Sequence, residues 1–302
     1  MPSALEKFAV DQRLHYRTTH RADSVVAFNH GKWMESVGHL QKSLATFDRA
    51  MDPDMAVDLY LLCKASSHAS DAPPWSDYLG KLQILVNNTL YAIGYGQLGD
   101  RQVGTIGPVL QCTAETLAFL CRELGLLFSH VKRMDDFDFY CSLHLNILSK
   151  VHGPDSIVLA DAQMEFAVIL AQVCDFHRAL TMADESLATR ISHLGDFDYR
   201  PPHPRVADGY FNVGVLNRVA GDPVVALQCL LTCLDMRSRM LASRREEAIL
   251  EVVMSIGILH HQTRNFRTAF KCYEEVYIGT TDAQRKEALR RLMDHLHSDV
   301  ST

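Results

Sequence analysis

Two small residues recur at a fixed separation in the C-terminal half of the chain. The three pairs, each 12 residues apart, are Ala167 with Ala179, Gly214 with Ala226, and Gly257 with Ala269. Between the members of each pair lie residues that tolerate turn geometry, at 174–175, 221–222 and 264–265. Two antiparallel helices cross closely only where small side chains let the ridges of one enter the grooves of the other. The pattern therefore predicts three helical hairpins with a small residue on each helix at the crossing.

Further segments repeat this pattern less closely. Residues 136–140 parallel 175–179, although Phe128 and Tyr140 replace the small pair there, and another copy begins at Gly31. The predicted organisation is a region 121–281 of regular repeats, at about 121–153, 154–195, 203–240 and 246–279, preceded by less regular helical hairpins over 1–120 and followed by a C-terminal capping helix and tail over 282–302.

The composition indicates a folded chain that binds neither nucleic acid nor membrane. Hydrophobic residues make up 47% of the 302 residues, and the periodic segments fit a helical spacing better than alternation. The formal net charge is −6, whereas nucleic-acid binding normally needs a basic surface. No apolar run approaches the roughly 18–20 residues that cross a bilayer, and residues 1–25 carry charges throughout. We therefore predict an all-α, cytoplasmic chain whose eight cysteines are reduced.

Motifs that would carry chemistry are weak in this sequence. Residues 94–99 match the letters of the dinucleotide fingerprint, but no strand-helix-strand unit accompanies them. Cys229 and Cys233 lie one helical turn apart, without two further metal ligands nearby in the sequence. Histidines group tightly only at 260–261 and 295–297, and the acidic run at 135–138 lacks the glycine and glutamate of a calcium loop, which favours a solvated turn. We predict no catalytic residue, no metal site and no cofactor, so the chain is not expected to be an enzyme.

Two segments carry a resemblance to a known family. Residues 150–155 (KVHGPD) resemble the linker between the longer repeats of kinesin light chains, and residues 203–207 (HPRVA), with Asn212, Gly214, Leu216 and Gly221, resemble the start of such a repeat. Kinesin light chains belong to the tetratricopeptide repeat (TPR) superfamily, and the match covers about residues 120–280. The resemblance implies a tetratricopeptide-type helical-hairpin solenoid wound as a right-handed superhelix, in which residues 1–120 contribute TPR-like repeats at the N-terminus.

In a stack of hairpins, the first helices line a concave groove where repeat proteins hold their partners. Counting helix positions from the small residue of each first helix predicts the residues of this groove. The polar members are Glu165, Gln172, Asp208, Asn212, Arg218, Glu251, Ser255 and His261. In the family that the chain resembles, an asparagine at the position of Asn212 often hydrogen-bonds the main chain of a bound peptide, because an amide offers both a donor and an acceptor. Glu165 and Ser255 take that position in the neighbouring copies, so a full ladder of asparagines is absent.

The sequence leaves three functions open. The first is a non-catalytic scaffold or adaptor that holds a partner protein in the groove, as a peptide segment or a neighbouring subunit. The second is a permanent structural subunit of a large cytoskeletal or ciliary assembly, which apolar residues exposed outside the groove would favour. The third is an enzyme built around residues 94–99, and the missing strand-helix-strand unit argues against it.

Overall fold

The computed structural model describes residues 18–45, 53–68, 75–92, 114–195, 202–240 and 246–300. Every regular element in these ranges is an α-helix, which confirms the predicted all-α class. The helices are α1 (18–29), α2 (Trp33–Leu44), α3 (Pro53–His68), α4 (Trp75–Ala92), α5 (Ala114–His130), α6 (Met134–His152), α7 (Ile157–Gln172), α8 (Phe176–Leu194), α9 (Pro204–Ala220), α10 (Pro223–Met240), α11 (Glu247–Gln262), α12 (Phe266–Gly279) and α13 (Ala283–Val300).

The helices divide into two compact units, Met1–Val151 and His152–Thr302. This division falls near the end of the first predicted regular repeat, while the predicted repeat boundaries themselves stay predictions. The residues of the 94–99 motif lie outside the described part of the chain.

A buried carboxylate ties the first three helices of the N-terminal unit together. Asp58 of α3 has no exposed surface, and its two oxygens accept hydrogen bonds from Arg21 of α1 and Ser43 of α2, each at 2.5 Å. Hydrogen bonds to an ionised group are worth about twice those between neutral groups, so Asp58 fixes the position of α1 and α2 on α3. Between α1 and α2, the hydroxyls of Ser24 and Ser36 lie 2.8 Å apart.

The hairpin of α5 and α6 replaces the small pair with a stack of aromatic rings. The rings of Phe128 and Tyr140 lie parallel at a centroid distance of 5.6 Å. The close approach of the two helices moves one turn earlier, to Gly125, where an added Cβ would lie 3.0 Å from the sulfur of Cys141. The Tyr140 hydroxyl donates to Asn87 of α4 at 2.6 Å, and burial raises its pKa above the ordinary range, so the phenol stays neutral.

Three similar hairpins form the C-terminal unit, from α7 to α12, and α13 follows them. The six small residues that define the repeat, Ala167, Ala179, Gly214, Ala226, Gly257 and Ala269, are all buried. An added Cβ at Gly214 would lie 2.9 Å from Leu230 and 3.3 Å from the Ala226 carbonyl oxygen. At Gly257 it would lie 2.8 Å from the Tyr273 ring. In the second and third hairpins the helices therefore touch with no room for a side chain at this position of the first helix.

The turn within each of the three hairpins of the C-terminal unit uses the same left-handed backbone position. Cys174, Gly221 and Arg264 have φ of 64°, 93° and 61°, so the turn geometry is kept even where the residue is not glycine. The helix that follows two of these turns is capped by an aspartate. Asp175 accepts from the Arg178 amide, and Asp222 accepts from the amides of 224 and 225.

The last helix covers the apolar end of the third hairpin. Leu289 and Leu296 of α13 are buried in one core cluster with Ile249, Leu250 and Val253 of α11 and with residues of α12. Leu292 and Met293 pack against the same cluster, whereas Arg290 and Arg291 of α13 are exposed. The amphipathic pattern of α13 therefore shields one face of the hairpin and solvates the other.

We expect Gly257→Ala to lower the free energy of unfolding by about 1–2 kcal/mol. The added methyl overlaps the Tyr273 ring and the Cys272 Cβ, and overpacking of this kind costs about 1–3 kcal/mol, offset by about 1 kcal/mol of helix propensity. Gly80→Ala is the matched control, because a Cβ there meets nothing within 4 Å and should raise stability slightly. Urea unfolding of both variants measures the difference. Equal changes in the unfolding free energy of the two variants would contradict the close crossing of α11 and α12.

Candidate protein-binding groove

The first helices of the three C-terminal hairpins form an inner layer. Helix α7 contacts α9, and α9 contacts α11, more extensively than the second helices α8, α10 and α12 contact one another. In stacked hairpins the first helices usually line the concave face, so α7, α9 and α11 are the helices on which the groove is expected. This layer is the predicted groove, and we call its accessible surface the inner face.

The predicted groove residues differ in how accessible they are. Gln172, Asp208 and Glu251 are exposed, and Glu165, Asn212, Arg218 and His261 are half-buried. Ser255 is only 9% exposed, and its hydroxyl donates to the Glu251 carbonyl oxygen of its own helix at 3.0 Å. Ser255 therefore offers a partner little surface, and its assignment to the groove stays a prediction.

A buried arginine near the end of the second helix pairs with an acidic residue on the first helix. In the α7–α8 hairpin, Arg190 Nη2 donates to Asp161 Oδ1 at 2.9 Å, and in the α9–α10 hairpin Arg237 Nη2 donates to Asp208 Oδ1 at 2.9 Å. Both arginines are more than nine-tenths buried, while both carboxylates keep a face toward solvent. The two aspartates therefore neutralise cations that lie inside the protein.

Each of these arginines also reaches the start of the next hairpin. Arg190 Nη1 donates to the Arg205 carbonyl oxygen at 3.0 Å, and Arg237 Nη1 donates to the Ala248 carbonyl oxygen at 2.5 Å and lies 3.4 Å from a Glu251 oxygen. A guanidinium presents donors in a fixed fork, which suits it to bridge two elements at once. These two side chains therefore set the position of each hairpin on the one before it.

The charge on Arg237 is secured by its surroundings. Burial lowers the pKa of this guanidinium, but the hydrogen bond to Asp208 and the neighbouring carboxylates of Asp208 and Glu251 outweigh burial, so the net shift is upward. The Phe211 ring lies 5.0 Å from the guanidinium carbon and adds a cation–π contact. The arginine stays charged, and removing it would leave Asp208 and Glu251 without their cation.

Three acidic residues form a row across the inner face, because they occupy the same position in α7, α9 and α11. Asp161, Asp208 and Glu251 each stand six residues before the small residue of their helix, and Arg205 also contacts Asp161 at 3.3 Å. The sequence reading placed Asp208 and Glu251 in the groove without recognising their arginine partners. The signal was present, since Arg190 and Arg237 occupy equivalent positions and each follows its aspartate by 29 residues.

At the other end of the inner face, two predicted groove residues make contacts within the unit. Arg218 Nη1 of α9 donates to Gln262 Oε1 of α11 at 3.3 Å. The His261 Nδ1 lies 3.3 Å from the Tyr273 hydroxyl, and its ring meets the Phe266 ring edge-on. Burial raises the pKa of Tyr273 to about 12, with a smaller raising effect from Cys272, so the phenol stays neutral beside the imidazole. Asn212 differs, because its side chain has no hydrogen-bond partner among the described residues.

Some sequence motifs and the clusters in the structure do not coincide. Cys233 is buried and Cys229 is half-buried, and burial raises the pKa of Cys233 to about 11, which keeps it a thiol. Asp136 of the acidic run is buried and accepts from Arg133, so the expected solvated turn was wrong there. In the described part of the chain, one group of side chains has the spacing of metal ligands, namely His20, Asp23 and His39. The sequence reading did not connect them.

The comparison with solved structures places the chain in a class of helical repeat proteins. BtubC (BKLC) from P. vanneervenii is 17% identical, with a TM-score of 0.51 over 97% of this chain and 93% of that one. TPR-like repeats assigned to a kinesin light chain of Podosopora anserina are 12% identical, with a TM-score of 0.43 over 88% and 95%, and PilF of Pseudomonas aeruginosa is 12% identical, with a TM-score of 0.42 over 96% and 88%. The likeness to BtubC concerns the fold alone, and the stacked helical hairpins of the chain are those of the tetratricopeptide-type fold that the resemblance implied.

Other comparisons and the apolar content of the helices add two findings. No protein-family model and no curated protein matches the sequence. Among the described residues, no helix combines the length and the apolar character that crossing a bilayer requires.

We expect Arg237→Ala to lower the free energy of unfolding by about 2–4 kcal/mol, because it removes two charge-assisted hydrogen bonds and buried side-chain packing. The matched control is Arg239→Ala on the same helix. Arg239 is exposed and lies 3.7 Å from Asp235, an ion pair worth less than about 0.5 kcal/mol. Chemical denaturation compares the two variants. Equal losses of unfolding free energy would show that the contacts of Arg237 do not hold the hairpins together.

Proposed function

We propose that this chain is a non-catalytic scaffold or adaptor that binds an extended segment of a partner protein on the inner face of α7, α9 and α11. The observation that supports this proposal best is the half-buried amide of Asn212 at the centre of that face, with no partner among the described residues. A side-chain amide offers both a donor and an acceptor, which suits the main chain of a peptide. The fold contributes a rigid curved surface that a flexible chain can follow.

The charges of the inner face favour a partner segment of mixed polarity. The acidic row of Asp161, Asp208 and Glu251 keeps carboxylate oxygens toward solvent and attracts a basic side chain of the partner. Arg218 lies six residues after Asn212 on α9 and donates to Gln262 of α11. Its guanidinium would also contact an acidic group or a main-chain carbonyl of the partner. We place the protein in the cytoplasm on the basis of its sequence.

A second candidate function rests on apolar residues outside the inner face. Val224 is 75% exposed and Leu231 is 50% exposed, and both line an open pocket of about 500 Å³ between α10 and the end of α11. The pocket is otherwise lined by Pro223, Leu227, Gln228, Leu259, His260 and Thr263. Exposed apolar surface of this kind favours permanent packing against another subunit, as in a cytoskeletal or ciliary assembly.

Two variants separate these functions. Asn212→Ala with Arg218→Ala alters the inner face, and Val224→Ser with Leu231→Ser alters the outer pocket. All four positions retain some exposure, so each substitution should change stability by only about half a kcal/mol, apart from Arg218→Ala, which also removes the hydrogen bond to Gln262 and should cost about 0.5–1.5 kcal/mol. His261 and Ser255 are left unchanged because they contact their own hairpin.

We expect the inner-face variant to lose partner binding by tenfold or more, since losing two well-placed polar contacts costs at least about 1.4 kcal/mol. The measurement is a pull-down from native lysate of the source cell with quantitative mass spectrometry, using wild type and both variants after circular dichroism has verified their folding. Loss of partner binding only in the outer-pocket variant would support the structural-subunit function. Full retention by the inner-face variant would contradict the proposed adaptor.

A further inference from the structure

Two histidines and an aspartate converge between the first two helices. His20 and Asp23 stand three residues apart on α1, a spacing that puts them on one helix face, and His39 faces them from α2. The Nδ1 atoms of the two histidines are 3.0 Å apart, and His39 Nδ1 lies 3.9 Å from Asp23 Oδ2. All three possible ligand atoms lie within 4.8 Å of one another.

Contacts independent of the cluster hold these three residues in place. The Ser24–Ser36 contact joins α1 and α2 one turn closer to the loop, and Arg21 and Ser43 both bond the buried Asp58. Residues close to His20, Asp23 and His39 in the sequence are thereby held against α2 or α3. A site on packed helices keeps its geometry before a ligand arrives, so binding costs little reorganisation.

The donor set matches the preference of one class of metal ion. Two imidazole nitrogens and a carboxylate oxygen suit zinc and similar divalent transition metals, whereas calcium and magnesium prefer oxygen ligands alone. With metal–nitrogen distances of about 2.0–2.1 Å, tetrahedral coordination holds two nitrogens about 3.3 Å apart. The histidine nitrogens here are a few tenths of an ångström closer, and Asp23, whose side chain is 50% exposed, has room to turn its oxygen inward.

A metal ion would take the place of the hydrogen that joins the two histidine rings. Two Nδ1 atoms at 3.0 Å share one hydrogen, because only one of them can donate to the other. With both rings in the Nε2–H tautomer, each Nδ1 donates an electron pair to a cation placed between them, and the Asp23 carboxylate lowers the cost of its charge.

We propose that His20, Asp23 and His39 form a binding site for a divalent transition-metal ion of the zinc class. Three protein ligands leave a fourth position for water on the solvent side, where Asp23 is exposed. The ion links α1 to α2 and stabilises the first hairpin of the N-terminal unit. The site lies in a different unit from the inner face, so it does not depend on the proposed binding function.

The test measures Zn²⁺ binding by the full chain, freed of any affinity tag and stripped of metal with a chelator. Isothermal titration with zinc chloride and the accompanying change in Tm are compared for wild type and His20→Gln with His39→Gln. The matched control is His30→Gln, an exposed histidine of the same hairpin whose Nδ1 contacts the Val26 carbonyl oxygen. We expect wild type and the control to bind one more equivalent of zinc than the double variant, and only their Tm to rise on binding.

A third variant keeps the test decisive if the double variant fails to fold. Asp23→Asn retains the shape of a half-exposed side chain, and we expect it to bind zinc at least tenfold more weakly than wild type. Co²⁺ provides a second readout, since a four-coordinate complex absorbs visible light far more strongly than the hydrated ion. The chain has 15 histidines, and adventitious surface binding would affect all variants alike. Equal zinc affinity in wild type and Asp23→Asn, or in wild type and a folded double variant, would overturn the proposal.

Discussion

Close contacts between the backbone of a first helix and the side chains of the second helix set the dimensions of the C-terminal unit. At Gly257 the backbone of α11 lies against the Tyr273 ring, and at Gly214 the backbone of α9 lies against Leu230. Because glycine has no side chain, the backbone of the first helix in each of these hairpins packs directly against the second helix. The two helices therefore lie close together, and this contact fixes the path of the rest of each helix. The left-handed turn residue, the aspartate caps and the buried faces of α7 to α12 all conform to that separation.

Packing alone would leave the hairpins free to slide on one another, and the two buried arginines restrict that freedom. A guanidinium with donors directed to a carboxylate in its own hairpin and to a carbonyl in the next has only one arrangement that satisfies both. Arg190 and Arg237 therefore specify the register of the stack, in addition to contributing stability. The acidic row on the inner face is a by-product of this internal pairing that also remains accessible to a partner.

The sequence predicted what depends on local spacing and missed what depends on side-chain direction. Small residues 12 positions apart predicted the hairpins because helix crossings recur at fixed separations. The aromatic stack at Phe128 was expected to pack differently, but the transfer of the close approach to Gly125 needed coordinates. Register counting placed Ser255 on the groove but could not show that only 9% of its surface is exposed. The His20–His39 contact joins residues 19 apart, and no periodic pattern marks it.

Arg190 and Arg237 each bond the hairpin that follows their own, so a further hairpin fits at some positions of the stack and not at others. At the position of Arg237, the α12 hairpin carries Thr280, which is buried and cannot reach a following helix as an arginine does. A duplicated α9–α10 hairpin inserted after α10 would present an Arg205 carbonyl and an Asp208 carboxylate to the preceding Arg237, so the array accepts internal duplication. The same hairpin placed after α12 would meet no guanidinium and would have to displace α13. Length variation among chains built on this plan is therefore expected in the interior, with the final hairpin kept constant.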